Sequence, residues 1–211
     1  MRRQTALLSA LLAAPFLLTP ASAVRCANCT GEDGTPSPST SPGHVCLAAG
    51  TVVTTASGAA LAVERVRLGQ PLLALEKPGL EPASSAPGRP TFGAGAVTAV
   101  YSALNTRPMY RLTDSAGHVL TATDHHPVFT LNRGHVQMAR LRVGDVLLTT
   151  GGRATVRGLS RVNSPGRVFN FVVNLGNNPG NQGRGAPHTF FASGILVGDM
   201  DAQDALATRG R

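Results

Sequence analysis

Short apolar segments, each bounded by glycine, proline or polar residues, recur along the chain from residue 46 to residue 199. They are rich in β-branched residues, and several of them alternate apolar with polar positions, which is the pattern of half-buried strands. The segments read TVVTT, ALAVERVRL, PLLALE, AVTAVYSAL, MYRLTD, HVLTAT, PVFTL, VLLTT, ATVRGLS, VFNFVVN, HTFF and ILVGD. The pattern predicts an all-β domain with about a dozen short strands.

Two stretches rich in Gly, Pro and small polar residues interrupt these segments, at residues 78–95 and 175–187. Such a composition is typical of surface loops. The chain of 211 residues contains 24 Gly and 15 Pro but no Trp, and aromatic residues make up 4% of it. This composition excludes a long helical bundle or a coiled coil and favours a β-rich, heavily turned protein.

An internal repeat relates residues 62–75 to residues 137–150. The two stretches, AVERVRLGQPLLAL and QMARLRVGDVLLTT, align at an offset of 75 residues and share Arg, Arg, Gly, Leu and Leu. In each copy a glycine, Gly69 or Gly144, follows an apolar-basic-apolar stretch and precedes a leucine pair. The repeat predicts a strand, turn and strand in each of two similar halves, with Asp145 bonding within its turn; chance similarity is the alternative.

The first 23 residues have the organisation of a secretory signal peptide. Arg2 and Arg3 precede an apolar stretch over residues 6–18, and a small-residue triplet ends at Ala23. The apolar stretch is shorter than the ~20 residues that a membrane-spanning helix needs, and Pro20 ends it. We therefore expect removal of residues 1–23 and a secreted or periplasmic location for the mature protein.

The remaining chain divides into three predicted parts. Residues 24–45 are dominated by Ser, Thr, Pro and Gly. They contain too little apolar surface to offset the entropy cost of ordering, so they are predicted to form a flexible leader. The domain is predicted over residues 46–199, and a short tail over residues 200–211. The mature chain contains no segment that is apolar over a length sufficient to span a membrane.

The net charge of +8 raises the question of a nucleic-acid partner. The 19 basic side chains are almost all arginines, and they are scattered singly along the sequence. Aromatic residues are not interleaved with them in the way that base-stacking surfaces require. We therefore expect no nucleic-acid partner.

Three cysteines are present, Cys26, Cys29 and Cys46. In an oxidising compartment an odd number leaves one thiol over, and a local disulfide between Cys26 and Cys29 would leave Cys46 as the third thiol. A zinc site formed by these cysteines with His44 is the alternative, but its spacing matches no common zinc finger. The sequence predicts neither a metal nor a cofactor.

Three blocks of residues, in chain order, carry a resemblance to a known family. The first block begins at Cys46 and continues with Gly50, Thr51, Gly58 and Gly69. The second, HVLTATDHHPVFTL, contains a Thr-x-x-His motif formed by Thr123 and His126, and the third joins VFNFVVN to HTFFASGILVGDM. Together the blocks resemble the Hint domain that hedgehog carboxy-terminal domains share with inteins. The resemblance covers residues 46–199 and implies an all-β, pseudo-two-fold horseshoe of short strands.

The resemblance implies self-processing at the peptide bond between Val45 and Cys46. A cysteine thiolate can attack the preceding carbonyl through a five-membered ring and convert the amide into a thioester. In the family the histidine that matches His126 supplies the proton for the departing amine, and the threonine that matches Thr123 holds the scissile peptide. His188 matches a histidine of the closing block and is the fourth candidate catalytic residue.

Each candidate also has a structural interpretation. Cys46 could be a small buried apolar residue, and His126 could be a hydrogen-bonding residue at the start of a strand. His125 is the nearest competitor for the catalytic role, but the spacing from Thr123 favours His126. His188 could equally be the last residue of a loop.

Several positions depart from the family pattern. Gln70 replaces the usual Asp of the first Gly-Asp pair, and Asn170 stands where many inteins carry an Asp. Inteins end in His-Asn, and cyclisation of that Asn releases the following segment, but Gly198 and Asp199 occupy these positions here. Residues 93–112 contain no acid that could act as the general base of hedgehog-type sterol transfer. These departures disfavour full protein splicing and sterol transfer.

The sequence thus predicts a single-turnover, autoproteolytic cysteine domain. Its substrate is its own leader peptide, which it cleaves or transfers to water, a thiol or another nucleophile. One alternative is a catalytically inactive Hint fold that serves as a secreted binding module. The others are intein-type splicing and a standalone secreted thiol protease, which would need a substrate cleft in addition to Thr123 and His126.

Overall fold

A computed structural model describes residues 46–77, 90–176 and 188–209 of the chain. The predicted signal peptide, the leader with Cys26, Cys29 and His44, and most of the two predicted loops lie outside these ranges. The strands, in chain order, are β1 Leu47–Ala48, β2 Val52–Thr54, β3 Ala60–Ala62, β4 Pro71–Lys77, β5 Thr91–Leu104, β6 Met109–Asp114, β7 Val119–Thr123, β8 Pro127–Thr130, β9 Gly134–Gln137, β10 Val146–Thr149, β11 Gly152–Val162, β12 Arg167–Asn174, β13 Thr189–Ala192 and β14 Ile195–Gly198. One helix, α1 Met200–Arg209, follows the last strand.

The strands form one continuous hydrogen-bonded path, in the order β3-β2-β13-β14-β8-β10-β11-β6-β7-β1-β12-β5-β4, with β9 paired to β8. Neighbouring strands along this path are antiparallel. The prediction of an all-β fold built from short strands is therefore confirmed.

Strand β1 lies in the interior of this path, between β7 and β12. Leu47 pairs with Ala122 on β7 and with Phe169 on β12. Because both partners are antiparallel to β1, the same register places Cys46 opposite Thr123 on one side and opposite Asn170 on the other. The first residue of the predicted domain thus lies between two strands that are far away in sequence.

The repeat at an offset of 75 residues corresponds to two copies of one local structure. Val63–Arg65 and Met138–Arg140 each form a single turn of 3-10 helix, and the residue before each turn is extended. Gly69 and Gly144 follow with φ of 77° and 93°, a left-handed conformation that glycine adopts without strain. Each copy then enters a strand, β4 or β10. The first strand that the repeat predicts in each copy is wrong in part. The two arginines of that stretch lie in the 3-10 turn and after it.

The main core is made of aliphatic and aromatic side chains from strands along the whole domain. Phe171 on β12 and Phe190 on β13 meet edge to face, with ring centroids 5.5 Å apart, and both are fully buried. Their contact packs the closing strands against the centre of the domain. A smaller apolar cluster, described below, surrounds Cys46.

Three elements differ from the sequence-based expectation. Strand β5 begins at Thr91, inside the stretch predicted as a loop, because pairing with β4 outweighs the low β propensity of its glycines. Strand β9 was not predicted, since GHVQ is too short and polar to show a strand pattern. Helix α1 occupies the predicted tail, and Ala202 on its inner face is buried. Across the three described ranges, no helix combines the length and the apolar character that crossing a bilayer demands.

Candidate active site

Cys46 and Thr123 are joined by two hydrogen bonds. The backbone N–H of Cys46 donates to Oγ1 of Thr123 at 2.8 Å, and the backbone N–H of Thr123 donates to the carbonyl oxygen of Cys46 at 3.0 Å. Both residues are buried, with exposed fractions of 1% and 0%. The nitrogen of Cys46 belongs to the peptide bond that the sequence analysis predicts to be cleaved, so the threonine hydroxyl contacts that bond directly.

His126 follows Thr123 through a tight turn. Its backbone N–H donates to the carbonyl oxygen of Thr123 at 3.1 Å, and its own carbonyl accepts from the N–H of Met138 at 2.8 Å. The His126 side chain is completely buried, whereas His125 is exposed. Of the two adjacent histidines, the fold therefore directs the predicted one into the interior, next to the residue that holds Cys46.

An apolar cluster surrounds Cys46. Met109 and Val168 are buried against it, and Ala48 and Val162 pack around them. This environment keeps water away from the thiol, which favours an intramolecular reaction over hydrolysis.

A cleft of about 670 Å³ opens beside this cluster. It is lined by residues 105–109, which form the β5–β6 connection and the start of β6, and by residues 161–165, from the end of β11 and the connection to β12. Met109 and Val162 belong both to the cleft and to the cluster around Cys46. The cleft therefore adjoins the Cys46 cluster, and a small nucleophile could approach the cluster through it.

Asn170 is a neighbour of Cys46 that the sequence analysis treated only as a departure from the family pattern. Its side chain is fully buried in β12, and its Oδ1 accepts from the N–H of Phe171 at 2.9 Å. An uncharged amide at this position can donate and accept hydrogen bonds but cannot act as an acid or base at neutral pH. Only the register of β1 against β12 identifies Asn170 as a neighbour of Cys46, and that register is not visible in the sequence.

Arg107 and Asp124 form a second pair, which stabilises the turn from Thr123 to His126. The sequence alone does not reveal this pair. Arg107 donates through Nε to Oδ1 of Asp124 at 2.7 Å and through Nη2 to Oδ2 at 2.9 Å. Oδ1 of Asp124 also accepts from the backbone N–H of His125 at 2.9 Å. The side chains of Arg107 and Asp124 are only 24% and 14% exposed, so the pair is shielded from solvent.

His188 lies elsewhere in the site. Its Nδ1 is 3.3 Å from Oδ2 of Asp199, and that oxygen accepts from the N–H of Val173 at 2.8 Å. Val173 is three residues along β12 from Asn170, a distance of about 10 Å in a strand. The structure thus brings Cys46 and Thr123 together and places His188 beside Asp199.

Asp199 caps helix α1. Its Oδ1 accepts from the N–H of Ala202 at 3.0 Å, and its carbonyl accepts from the N–H of Gln203 at 3.1 Å. An N-cap carboxylate of this kind satisfies the orphan donors of the first turn. Both carboxylate oxygens are therefore held by backbone N–H groups, and the peptide bond after Asp199 is the first of the helix.

Gly198 packs closely against two neighbours. A Cβ atom at this position would lie 2.8 Å from Cβ of Ala202 and 2.8 Å from Cγ of Pro127. The glycine thus allows helix α1 to approach β8 at the residue that follows His126. A larger residue, such as the His of the intein pattern, does not fit without displacing the helix.

His188, Asp199 and Asp201 form the one group among the described residues that could hold a metal ion. Nδ1 of His188 lies 3.3 Å from Asp199 and 3.6 Å from Oδ2 of Asp201. The hydrogen bond to Asp199 raises the pKa of His188 above its ordinary value. A proton on Nδ1 would therefore compete with a metal ion for the same nitrogen. We accordingly interpret the group as an ion pair with a neighbouring carboxylate.

Comparison with known proteins agrees with this architecture. No protein-family model matches the sequence, and a search of the curated proteins gives no match. Among solved structures, a bacterial intein-like domain from Clostridium thermocellum is similar, with 26% identity and a TM-score of 0.54 over 73% of this chain and 98% of that one. A DnaB intein from Synechocystis is 15% identical, with a TM-score of 0.56 over 74% of this chain and 99% of the intein. The gp41-1 intein is 17% identical, with a TM-score of 0.54 over 74% and 99%.

These neighbours cover about three quarters of this chain, and their own chains are matched nearly completely. The identities are low, so the comparison establishes the fold and not the chemistry of individual residues. The fold and the order of the three sequence blocks lead to the same assignment. The described part of this chain has the fold of an intein-like Hint domain.

Proposed function

We propose that this domain processes its own amino-terminal side, by converting the peptide bond between Val45 and Cys46 into a thioester. The observation that carries the proposal is the 2.8 Å hydrogen bond from the N–H of Cys46 to Oγ1 of Thr123. It holds the amide nitrogen that must leave, in a buried site next to the turn that carries His126. The intein-like fold supports self-processing as the class of activity.

The first step is an isomerisation. The thiol of Cys46 loses its proton, and its sulfur attacks the carbonyl carbon of Val45 to give a tetrahedral intermediate. The C–N bond then breaks, and its electron pair remains on the nitrogen, which takes up a proton. The products are a thioester between Val45 and the Cys46 sulfur and an α-amino group on Cys46. No atom is gained or lost overall.

Thr123 and His126 have separate roles in this step. The Thr123 hydroxyl accepts from the scissile N–H and so fixes the orientation of the nitrogen. The imidazole of His126 transfers the proton to that nitrogen, since an imidazole ring nitrogen can both take up and release a proton.

The second step releases or transfers the leader. A nucleophile attacks the thioester carbonyl, the C–S bond breaks, and the sulfur of Cys46 leaves as a thiolate that takes up a proton. Water, a thiol or another small nucleophile can act as acceptor, and the cleft beside Met109 and Val162 provides its route. Residues 24–45 are the substrate in this proposal, and the reaction takes place after export.

The carboxy-terminal side stays joined in this proposal. The carboxylate of Asp199 is held by the N–H groups of Val173 and Ala202, and an ionised carboxylate is a poor electrophile for cyclisation. Helix α1 begins directly after it. The domain thus supports one cleavage, without splicing.

Intact-mass measurement of the purified chain from Val24 onward tests the proposal. Dithiothreitol or hydroxylamine should accelerate cleavage between Val45 and Cys46, because small nucleophiles capture a thioester much faster than an amide. The variant Cys46→Ala should abolish this cleavage. If Cys46→Ala releases the same leader peptide, an external protease is responsible and the proposal is wrong. If the parent protein stays intact with both reagents, the inactive binding-module alternative gains support.

A further inference from the structure

We infer that Arg107 and Asp124 form a positioning pair for the self-processing reaction, and this inference rests on the function proposed above. Asp124 lies between Thr123 and His126 in the turn, and neither the Thr-x-x-His motif nor the comparisons assign it a role. The pair acts by fixing the shape of that turn, so that the hydroxyl and the imidazole face the Cys46 peptide together.

The contact between the two side chains is rigid. Two parallel hydrogen bonds of 2.7 and 2.9 Å join the guanidinium to the carboxylate, in a geometry that a single point charge such as lysine cannot reproduce. Low exposure of both side chains reduces the screening by solvent. A bidentate and shielded pair therefore defines an orientation as well as a distance.

Asp124 is held on its backbone as well. Its N–H donates to the carbonyl oxygen of Pro108 at 2.9 Å, and its own carbonyl accepts from the N–H of Ala139 at 2.8 Å. Through its side chain it also accepts from the N–H of His125. Asp124 thus links the turn to the β5–β6 connection on one side and to the 3-10 turn of the repeat on the other.

Arg107 is held in place by hydrogen bonds with Asn105. Its N–H donates to Oδ1 of Asn105 at 3.0 Å, and Nδ2 of Asn105 donates to the carbonyls of Arg107 and Ser164 at 3.1 and 3.2 Å. The same residues line the cleft beside the Cys46 cluster. The pair therefore couples the wall of the cleft to the turn that carries Thr123 and His126.

The experiment compares Arg107→Ala, Asp124→Ala and the double variant with the parent chain. The first readout is the dithiothreitol-dependent cleavage rate, and each single variant should slow it about tenfold or more, because small displacements of positioned groups reduce rates by such factors. The double variant should be no slower than either single variant, since both remove the same contact. Arg107→Lys should recover only part of the rate.

Arg133→Ala is the matched control. Arg133 lies in the β8–β9 connection and pairs with Asp145 at 2.8 Å, with side-chain exposures of 31% and 5%. Its guanidinium also donates to the carbonyl oxygen of Arg140 at 3.4 Å, and not to residues 123–126. The Arg133→Ala variant should lose about as much thermal stability as Arg107→Ala does, but it should keep the parental cleavage rate. If Arg133→Ala slows cleavage as much as Arg107→Ala does, the effect is general destabilisation and the inference is overturned.

Amide hydrogen exchange separates this inference from the proposed function. In Arg107→Ala the amides of Thr123 and His126 should exchange about tenfold faster than in the parent, whereas Arg133→Ala should leave them unchanged. Hydrogen exchange can be measured even if the parent protein does not cleave. Absence of cleavage would contradict the proposed function but would leave the inference about Arg107 and Asp124 standing. Unchanged exchange at both amides in Arg107→Ala would show that the pair does not position the turn.

Discussion

Thr51 and His126 occupy equivalent positions in the two halves of the domain, 75 residues apart. The carbonyl oxygen of Thr51 accepts from the N–H of Val63 at 2.8 Å, and the carbonyl oxygen of His126 accepts from the N–H of Met138 at 2.8 Å. Each of these donors begins a 3-10 turn of the repeat. The two halves thus share a backbone framework, and only the second half carries an imidazole at this position.

The hydroxyl of Thr123 should be necessary for activity. In Thr123→Val the N–H of Cys46 loses its acceptor in a buried site, which should cost about 1–3 kcal/mol of stability and slow cleavage roughly 10- to 100-fold. Thr123→Ser should keep both the stability and the cleavage rate close to the parental values. The measurements are urea unfolding and dithiothreitol-dependent cleavage.

Thr130→Val provides the control for this prediction. Thr130 is also fully buried, and its hydroxyl donates to the carbonyl oxygen of Gly134 at 2.9 Å and accepts from the N–H of Arg133. Its replacement should lower stability without changing the cleavage rate. Equal rates for Thr123→Val and Thr130→Val would mean that the Thr123 hydroxyl has only a structural role.

The two adjacent histidines should differ in effect. His126→Ala removes the buried imidazole and should slow thioester formation about 100-fold or more, the contribution expected of a general acid. His125→Ala removes an exposed side chain that lies 3.3 Å from Nη2 of Arg107. Both hydrogen bonds between Arg107 and Asp124 remain, so the rate should stay near the parental value. Single-turnover kinetics followed by mass spectrometry decide between them. A larger effect from His125 would show that the spacing argument identified the wrong residue.

Restoring the intein ending should not restore release of the tail. In the variant Gly198→His with Asp199→Asn, the new Cβ atom lies too close to Ala202 and Pro127, which should destabilise the fold by about 1–3 kcal/mol. The tail of residues 200–211 should remain attached in the parent and in Asp199→Asn.

Gly151→His is the control for the steric part of this prediction. A Cβ at Gly151 meets only the Thr149 hydroxyl oxygen at 3.8 Å, an ordinary contact, so stability should change little. Unfolding midpoints and intact masses test both statements. A dominant species ending at residue 199, formed without added protease, would contradict the prediction and support the splicing alternative.

The ion pair of His188 should make stability depend on pH. The hydrogen bond to Asp199 raises the pKa of His188 in the folded state above its ordinary value near 6.5, so the folded protein binds the proton more tightly. The contribution of the pair is therefore complete at low pH and is lost as pH rises through the folded-state pKa. Urea unfolding should show a larger difference between parent and His188→Ala at pH 5.5 than at pH 8.5.

Other acids also make stability depend on pH and need separate controls. Burial and the charge of Asp199 raise the pKa of Asp201 and of Asp204, so these two acids also favour folding at lower pH. Burial alone would raise the pKa of Asp145, but hydrogen bonds from the Arg142 N–H and from Arg133 outweigh it and lower the pKa. Asp204→Asn should leave the difference caused by His188→Ala in place. If the difference does not change with pH, His188 is not protonated in the folded state.

Sequence patterns predicted much of this structure because they report local periodicity. The segment PLLALE became part of β4, VFNFVVN became most of β12, and the repeat predicted two similar turns around Gly69 and Gly144. Asp145 bonds within its turn as expected, since its N–H donates to the carbonyl of Arg142 at 3.0 Å and its Oδ2 accepts from the N–H of Arg142 at 2.8 Å. Such features depend on residues that are close in sequence.

The parts that sequence reasoning missed depend on contacts between distant residues. Asn170 adjoins Cys46 only because β1 lies between β7 and β12, and Arg107 reaches Asp124 across 17 residues of chain. Neither the register between two strands nor the pairing of distant side chains produces a periodic pattern in the sequence. The cap at Asp199 does have a local signal in the sequence, because this acidic residue stands just before an alanine-rich segment.

The interior position of β1 also determines the order of events during the life of the chain. The Thr123 contact lies 77 residues beyond Cys46, and β12 ends at residue 174, so the site is complete only after nearly the whole domain has been made. A nascent chain that ends before Thr123 has Cys46 but lacks the two strands that flank it. In our proposal the leader therefore remains covalently attached through synthesis and export, and its release reports that the domain has finished folding.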